Sequence, residues 1–198
     1  VSTYLAWLAA QFGVSASNLE IHDRLAHMGG LSGTVVTGQG ALSLVTTNPG
    51  ADRIGDANYS DVQWWLEVYT AMGSTGVNAT VNVTYNDDTT GNLAVIAVGG
   101  TIRTGRWIPL ISNKAGFFIK AVNSVTLSAT TGTAGNFGIT ASRSKTITYG
   151  TIINQPKEFD WAASGLPRFP TDACIYLVMN CTTTSTGIVR GHGKIIHV

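Results

Sequence analysis

The sequence predicts a mainly β chain: a jelly-roll-like antiparallel β-sandwich with a helical N-terminal arm and one further amphipathic helix. Three observations carry this. The segment "VNATVNVTY" alternates without a slip, setting Val77, Ala79, Val81, Val83 and Tyr85 against Asn78, Thr80, Asn82 and Thr84. That is the pattern of a half-buried antiparallel strand. From there to the end, turn signals recur about every eight to twelve residues, the spacing of a sandwich or barrel. In three segments before residue 77, apolar residues instead recur at spacings of three and four, the helical period.

The elements follow in order. "STYLAWLAAQF" opens on Ser2 or Thr3 as a cap and places Leu5, Leu8 and Phe12 on one helical face, with Gly13 to end it. "SNLEIHDRLAHMGG" pairs Ser17 with Glu20 as a capping box, carries Ile21, Leu25 and Met28 on a stripe, and stops at Gly29-Gly30. Residues 31–58 read as an extended connector holding at most two short strands and a turn at Asn48-Pro49-Gly50. "YSDVQWWLEVYTAMGSTG" predicts the clearest helix, with Ser60 and Gln63 as its capping box and Val62, Trp65, Leu66 and Tyr69 as its stripe. Strands are then expected at 77–85, in "LAVIAV", and near 107–111, 117–121, 125–129, 137–140, 146–153, 174–180 and 188–198. "SVTLSATTGTAGNFGIT" is rich in glycine but leads into a strand and has no lysine. It reads as a β-hairpin connection, not a phosphate loop. The organisation expected is a helical and extended arm over residues 1–56 and a sandwich over residues 57–198.

Composition limits the function. The 198 residues suit one domain or one domain with an appendage. Charged residues are 12%, about half the usual share of roughly 25%, and the net charge is +1. Arg103, Arg106, Lys114 and Lys120 are too diluted to track phosphates, so no nucleic acid is expected. No run approaches the ~18 apolar residues of a membrane helix, and no basic segment opens a signal peptide, so no membrane is expected. A surface this poor in charge suits a subunit covered by neighbours. Cys174 and Cys181 close "CIYLVMNC", which reads as a strand of about 23 Å, beyond disulfide reach. Both are expected as small buried apolar residues.

No catalytic arrangement emerges. "GGLSGT" lacks the spacing of a nucleophile elbow. His22 and His27 are five apart, as are His192 and His197, so neither pair shares a face and no metal site is expected. Asp87-Asp88 lies in a turn, where aspartate serves the backbone. The loop 158–169 sets Glu158 and Asp160 beside Phe159, Trp161 and Phe169. Those three aromatics are candidate loop contacts for a sugar, though packing of an ordered loop onto the sandwich is the favoured reading. No catalytic residue, cofactor or metal ligand is assigned.

The helix "YSDVQWWLEVYTAMGSTG", the strand "NATVNVTYNDDTTGN", the short "GRWIPL" and "SVTLSATTGTAGNFGIT" together resemble virion structural proteins of tailed bacteriophages. The likeness runs over residues 57–142 and is greatest to cement or decoration subunits on the major capsid shell. It implies a β-rich, often jelly-roll-like homotrimer that binds the major capsid protein, carries no cofactor, and assembles in the bacterial host cytoplasm. The expected function is non-enzymatic stabilisation of the shell, with Tyr4, Trp7, Leu8 and Phe12 of the arm as candidate assembly contacts. The alternative is a tail-associated or fibre module that binds a host receptor or glycan.

Overall fold

The structure, a computed structural model, describes residues 2–14, 17–44, 50–181 and 188–198, apart from the side chain of Cys181. In chain order its strands begin with β1 (Thr3–Phe12), β2 (Ser17–Ser32), β3 (Leu42–Ser43), β4 (Val62–Val68) and β5 (Gly76–Tyr85). They continue with β6 (Thr90–Asn92), β7 (Ile96–Gly99), β8 (Trp107–Leu110), β9 (Ile119–Leu127) and β10 (Asn136–Gly150). The last are β11 (Pro156–Asp160), β12 (Arg168–Phe169), β13 (Ile175–Cys181) and β14 (Val189–His197). Two single-turn helices complete it, α1 (Ala51–Ile54) and α2 (Trp161–Ser164). The chain is thus mainly β, with antiparallel sheets.

It divides into two compact units, Val1–Arg24 with Arg143–Val198, and Leu25–Ser142. Residue 56, where the arm is expected to end, lies inside the second unit.

In the first unit β1 is a central strand. Along one edge it pairs with β14, from Thr3↔His197 to Phe12↔Val189. Along the other it pairs with β11, from Trp7↔Asp160 to Gln11↔Pro156, and then with β12 through Thr3↔Phe169 and Tyr4↔Arg168. β13 pairs with the first part of β2, from Ile175↔Asp23 to Cys181↔Ser17. Leu5, Leu8, Ile21 and Phe169 form one apolar cluster, and Ala10, Phe12 and Leu19 another.

In the second unit the strand order is β2-β10-β4-β8 in one sheet and β3-β9-β5-β6 in the other, with β7 also on β5. One core joins them: Trp64, Leu66 and Val68 of β4 and Phe137, Ile139 and Ala141 of β10 meet Ala79, Val81 and Val83 of β5 and Val122, Val125 and Leu127 of β9. The indole of Trp64 donates to the carbonyl of Ile119 at 2.8 Å, which satisfies its polar atom inside that core. The alternation expected for residues 77–85 holds, with Val77, Ala79, Val81, Val83 and Tyr85 all buried.

The three expected helices are corrected to strands, and each has a physical reason. In β1 the register shifts between Leu5 and Trp7, so Ala6 is a bulge residue. The bulge returns Leu5 and Leu8 to one face at a spacing of three, which imitates the helical period. In β2 Ser17, Leu19, Ile21, Asp23 and Leu25, every second residue, are buried on one face, and His22 is buried on the other. The spacing of four between Ile21 and Leu25 fits a strand as well as a helix, and the charged Asp23 in the buried row hides the alternation. Glu20, expected in a capping box, instead accepts from Asn180 at 2.9 Å. In β4 the buried set is Trp64, Leu66 and Val68. The Trp64-Trp65 doublet supplies bulk to both faces, and its aromatic and β-branched residues favour extended backbone. Ser60 donates to Asp56 rather than capping a helix.

The 124–140 segment is not a hairpin either: β9 pairs with β3 and β5, whereas β10 neighbours β2 and β4. Its glycine-rich middle crosses between the sheets, held where Thr131 donates to the Gly33 carbonyl at 2.9 Å and accepts from Thr75 at 3.1 Å. Cys174, expected buried, is an exposed free thiol. The expected turn at Asn48-Pro49 lies outside the described residues.

Candidate functional site

The residues expected as assembly contacts and those expected as loop contacts meet in the first unit. Leu8 and Phe12 lie inside its core, Phe12 fully buried, while Tyr4 and Trp7 are half-buried. Phe159 stands directly across from Leu8 on β11, and Phe169 packs against Leu5 and Leu8. Phe159 and Phe169 are therefore core residues, like Leu8 and Phe12. Only Trp161 stands clear, 62% exposed at the first position of α2. Asp160 caps that turn, accepting from the Ala163 amide at 2.9 Å.

Alternation along β1 sends Leu8, Ala10 and Phe12 inward and Trp7, Ala9 and Gln11 to the opposite face. The paired strands extend that outward face in rows. Lys194, Trp7 and Asp160 make one row; His192, Ala9 and Glu158 make the next. Trp7 and His192 meet edge to face at 4.8 Å, which places both rings on this side. The face thus carries a basic stripe on β14, an acidic stripe on β11, and Trp7 between them. Lys194, His192, Glu158 and Asp160 are all exposed.

The second unit holds a network of a different kind. His27 of β2, Glu67 of β4, Tyr69 just beyond β4 and Thr140 of β10 converge across three neighbouring strands. Thr140 donates its hydroxyl to Glu67 at 2.7 Å. Its oxygen then accepts from Nδ1 of His27 at 2.9 Å. With Nδ1 protonated, Nε2 of the neutral ring accepts the phenol hydrogen of Tyr69 at 2.8 Å. The chain of hydrogen bonds is directed from the phenol to the carboxylate and can hold one imidazole tautomer or pass a proton along it. Gly138 leaves room for it: a Cβ there would strike the Met28 carbonyl and the Tyr69 hydroxyl. Next to this network Trp65 donates to Ser142 at 2.9 Å and meets Trp107 edge to face at 5.7 Å.

Sequence reasoning missed this network because it placed Tyr69 on a helix. Read as a strand, Trp65, Glu67 and Tyr69 fall at i, i+2 and i+4 on one face, and that alternation was the available signal.

Asp87 and Asp88 are structural, as expected of a turn. Lys114 pairs with Asp87 and also donates to Thr89 at 2.8 Å, while Lys120 donates to Asp88 at 2.6 Å. The Lys114 bond holds the Asp87 carboxyl down at about 2. A cleft of about 460 Å³ opens beside Lys114, walled by Trp65, Ile111, Phe117 and Phe118. His22 is fully buried in the first unit, 3.0 Å from Glu20, and its burial lowers its pKa against the opposing pull of that carboxylate. Among the described residues no three His, Cys, Asp or Glu side chains are grouped to hold a metal ion.

No protein-family model, no curated protein and no solved structure matches this chain.

The distribution of exposed apolar side chains differs between the units. Of the fifteen large hydrophobic residues exposed among the described ones, ten belong to the first unit, though it is the smaller. They include Ile175 and Leu177 on β13, Ile147 and Tyr149 on β10, and Ile195 on β14. Among the described residues β14 pairs only with β1 and is exposed along most of its length, so among them no strand occupies the backbone donors and acceptors of its outer edge.

Proposed function

We propose that this chain is a non-enzymatic structural subunit of a tailed-bacteriophage virion. It binds the major capsid protein as a cement or decoration subunit and associates with itself as a homotrimer. The observation that carries this reading is the apolar exterior of the first unit with its bare strand β14. An isolated soluble protein seldom leaves so many large apolar residues open, whereas a subunit covers them on assembly. Several such contacts per particle make weak binding lasting.

The architecture we propose for the second unit is a jelly roll. Taking β2, β3, β4, β5, β6, β8, β9 and β10 as strands one to eight, the neighbours include first with eighth, second with seventh, third with sixth and fourth with fifth. One long hairpin rolled on itself gives that order. Jelly rolls serve viral shells and lectins alike, so the fold agrees with both readings and chooses neither. The sequence resemblance, which falls wholly within this unit, supplies the virion context.

Light scattering over a range of concentrations, followed by sedimentation with shells of the major capsid protein from the same phage, tests the reading. A stable trimer that co-sediments supports it. A monomer at every concentration that stays in the supernatant overturns it. The second reading, a tail or fibre module binding a glycan, is favoured by Trp161, whose exposed indole stands beside Asp160. Quenching of tryptophan fluorescence by host cell-wall glycans, lost in Trp161→Ala, would support that reading instead.

A further inference from the structure

We propose that the outward face of the β14–β1–β11 sheet is a two-fold contact between copies of this chain. The inference deepens the assembly reading and rests on it.

The face is self-complementary. The strands of a sheet lie about 4.8 Å apart, so the basic stripe on β14 and the acidic stripe on β11 are separated by roughly 10 Å across β1. That distance is too long for ion pairing within one sheet. Accordingly, neither the Lys194 nor the Glu158 side chain has a hydrogen-bond or ion-pair partner among the described residues. Asp160 uses one oxygen on the Ala163 amide.

A second copy meets these charges in one orientation. A two-fold axis running along β1 turns the face over and exchanges its sides. Because Lys194, Trp7 and Asp160 share a row, this operation sets Lys194 on Asp160 of the second copy, His192 on its Glu158, and Trp7 on its Trp7. The other in-plane axis, across the strands, lays basic stripe on basic stripe and acidic on acidic. Charge therefore selects the first orientation. Sheets pack face to face about 10 Å apart, a gap that two half-buried Trp7 side chains fill at the centre, where aromatic anchors contribute most. The contact is isologous and closes on itself. In a homotrimer it pairs one trimer with the next.

The test uses the full chain in three forms. Sedimentation equilibrium of the unaltered protein should give a mass that is halved in Lys194→Glu and likewise halved in Asp160→Lys, each measured alone. Mixing these two variants should restore the original mass. The carboxylate introduced at position 194 of one copy then meets the ammonium introduced at position 160 of the other, while the second pair stays natural. Since Asp160 also caps α2, circular dichroism checks that each variant is folded. An independent form, Gln11→Cys with Cys174→Ser and Cys181→Ser, places the only thiol on the axis; across a gap of about 10 Å the two thiols are too far apart for a disulfide, so a bismaleimide of about that span should link them into a covalent dimer. An oligomer whose mass ignores both charge reversals overturns this face and leaves the assembly reading standing. A thiol at position 11 that the bismaleimide does not link in that oligomer overturns the face as well. An unaltered chain that is monomeric throughout overturns the face, and shell sedimentation then decides the assembly reading separately.

Discussion

The phenol of Tyr69 reaches Nε2 of His27 at 2.8 Å, and Thr140 holds the other ring nitrogen at 2.9 Å. Imidazole, phenol and hydroxyl come from three strands, with Glu67 closing the chain. Thr140→Val keeps the side-chain shape and removes the bridging hydroxyl. Thr140 is fully buried, so the change should cost about 1–3 kcal/mol in urea unfolding. Tyr69→Phe should cost less, since that end of the network is more open, but it should shift the ¹⁵N resonances of His27 toward tautomer exchange. Unchanged resonances would sink the directed relay.

Phe12 is the test of β1 as a core strand. Its ring is fully buried against Ala10 and Leu19, so Phe12→Ala should lose about 3–5 kcal/mol of stability. Trp7→Ala, on the outward face, should lose much less stability but weaken self-association. Equal losses from the two, read by denaturant midpoint, would contradict the inward and outward assignment.

His22 predicts an acid-sensitive window. Its folded pKa lies below the ordinary 6.5 because burial disfavours the charged ring. The unfolded chain therefore takes up a proton first as pH falls. The stability is fully present above about 6.5, declines as pH drops from there toward the lowered folded value, and loses nothing further from this group below it. Urea midpoints at pH 7.5 and 5.5 should differ, and His22→Gln should narrow the difference. A midpoint that rises on acidification would reverse the assigned direction.

Asp87 predicts the opposite end of the scale. Its carboxyl is depressed from 3.8 to about 2, first by the Lys114 hydrogen bond and then by that of Thr89. Its contribution is present above 3.8 and is lost as pH falls through about 2. A carboxyl NMR titration should place the midpoint near 2, and Lys114→Met should move it back up. Lys114 also lies 3.8 Å from the Phe117 ring centre, so the same change should loosen the wall of the cleft.

Legibility in the sequence followed local regularity. β5 was readable because five buried residues alternate with polar ones and no charge interrupts them, the two register shifts of its pairing with β9 placing the extra residues, Asn123 and Lys120, on β9. β1 was not, because the bulge at Ala6 respaced Leu5 and Leu8, and the sequence holds no mark of a bulge before its partner strand is known. β2 carries Asp23 in its buried row, where the carboxylate accepts from the Cys174 amide at 3.0 Å. That partner lies 151 residues away, so the residue reads as a surface charge until the fold supplies its donor. The same distance in sequence hid the candidate sites: Trp7, Asp160 and Lys194 become a row, and His27, Glu67, Tyr69 and Thr140 a network, only through strand pairing.

The sequence by itself determined the β-rich class, the turn-punctuated second half and the strand at 77–85, because alternation and turn chemistry are properties of adjacent residues. It also determined the low charge that leaves the surface open to association. Tertiary structure alone decided that the N-terminal segments are strands. A spacing of three or four serves a helix and a bulged or even-stepped strand equally, and the hydrogen-bonding partner breaks the tie. It alone decided which sheet each strand enters, since β9 and β10 are neighbours in sequence but belong to different sheets. It also decided that Leu8, Phe12, Phe159 and Phe169 turn inward while Trp7 and Trp161 remain outside, because an apolar residue records its need for burial but not the surface that will bury it.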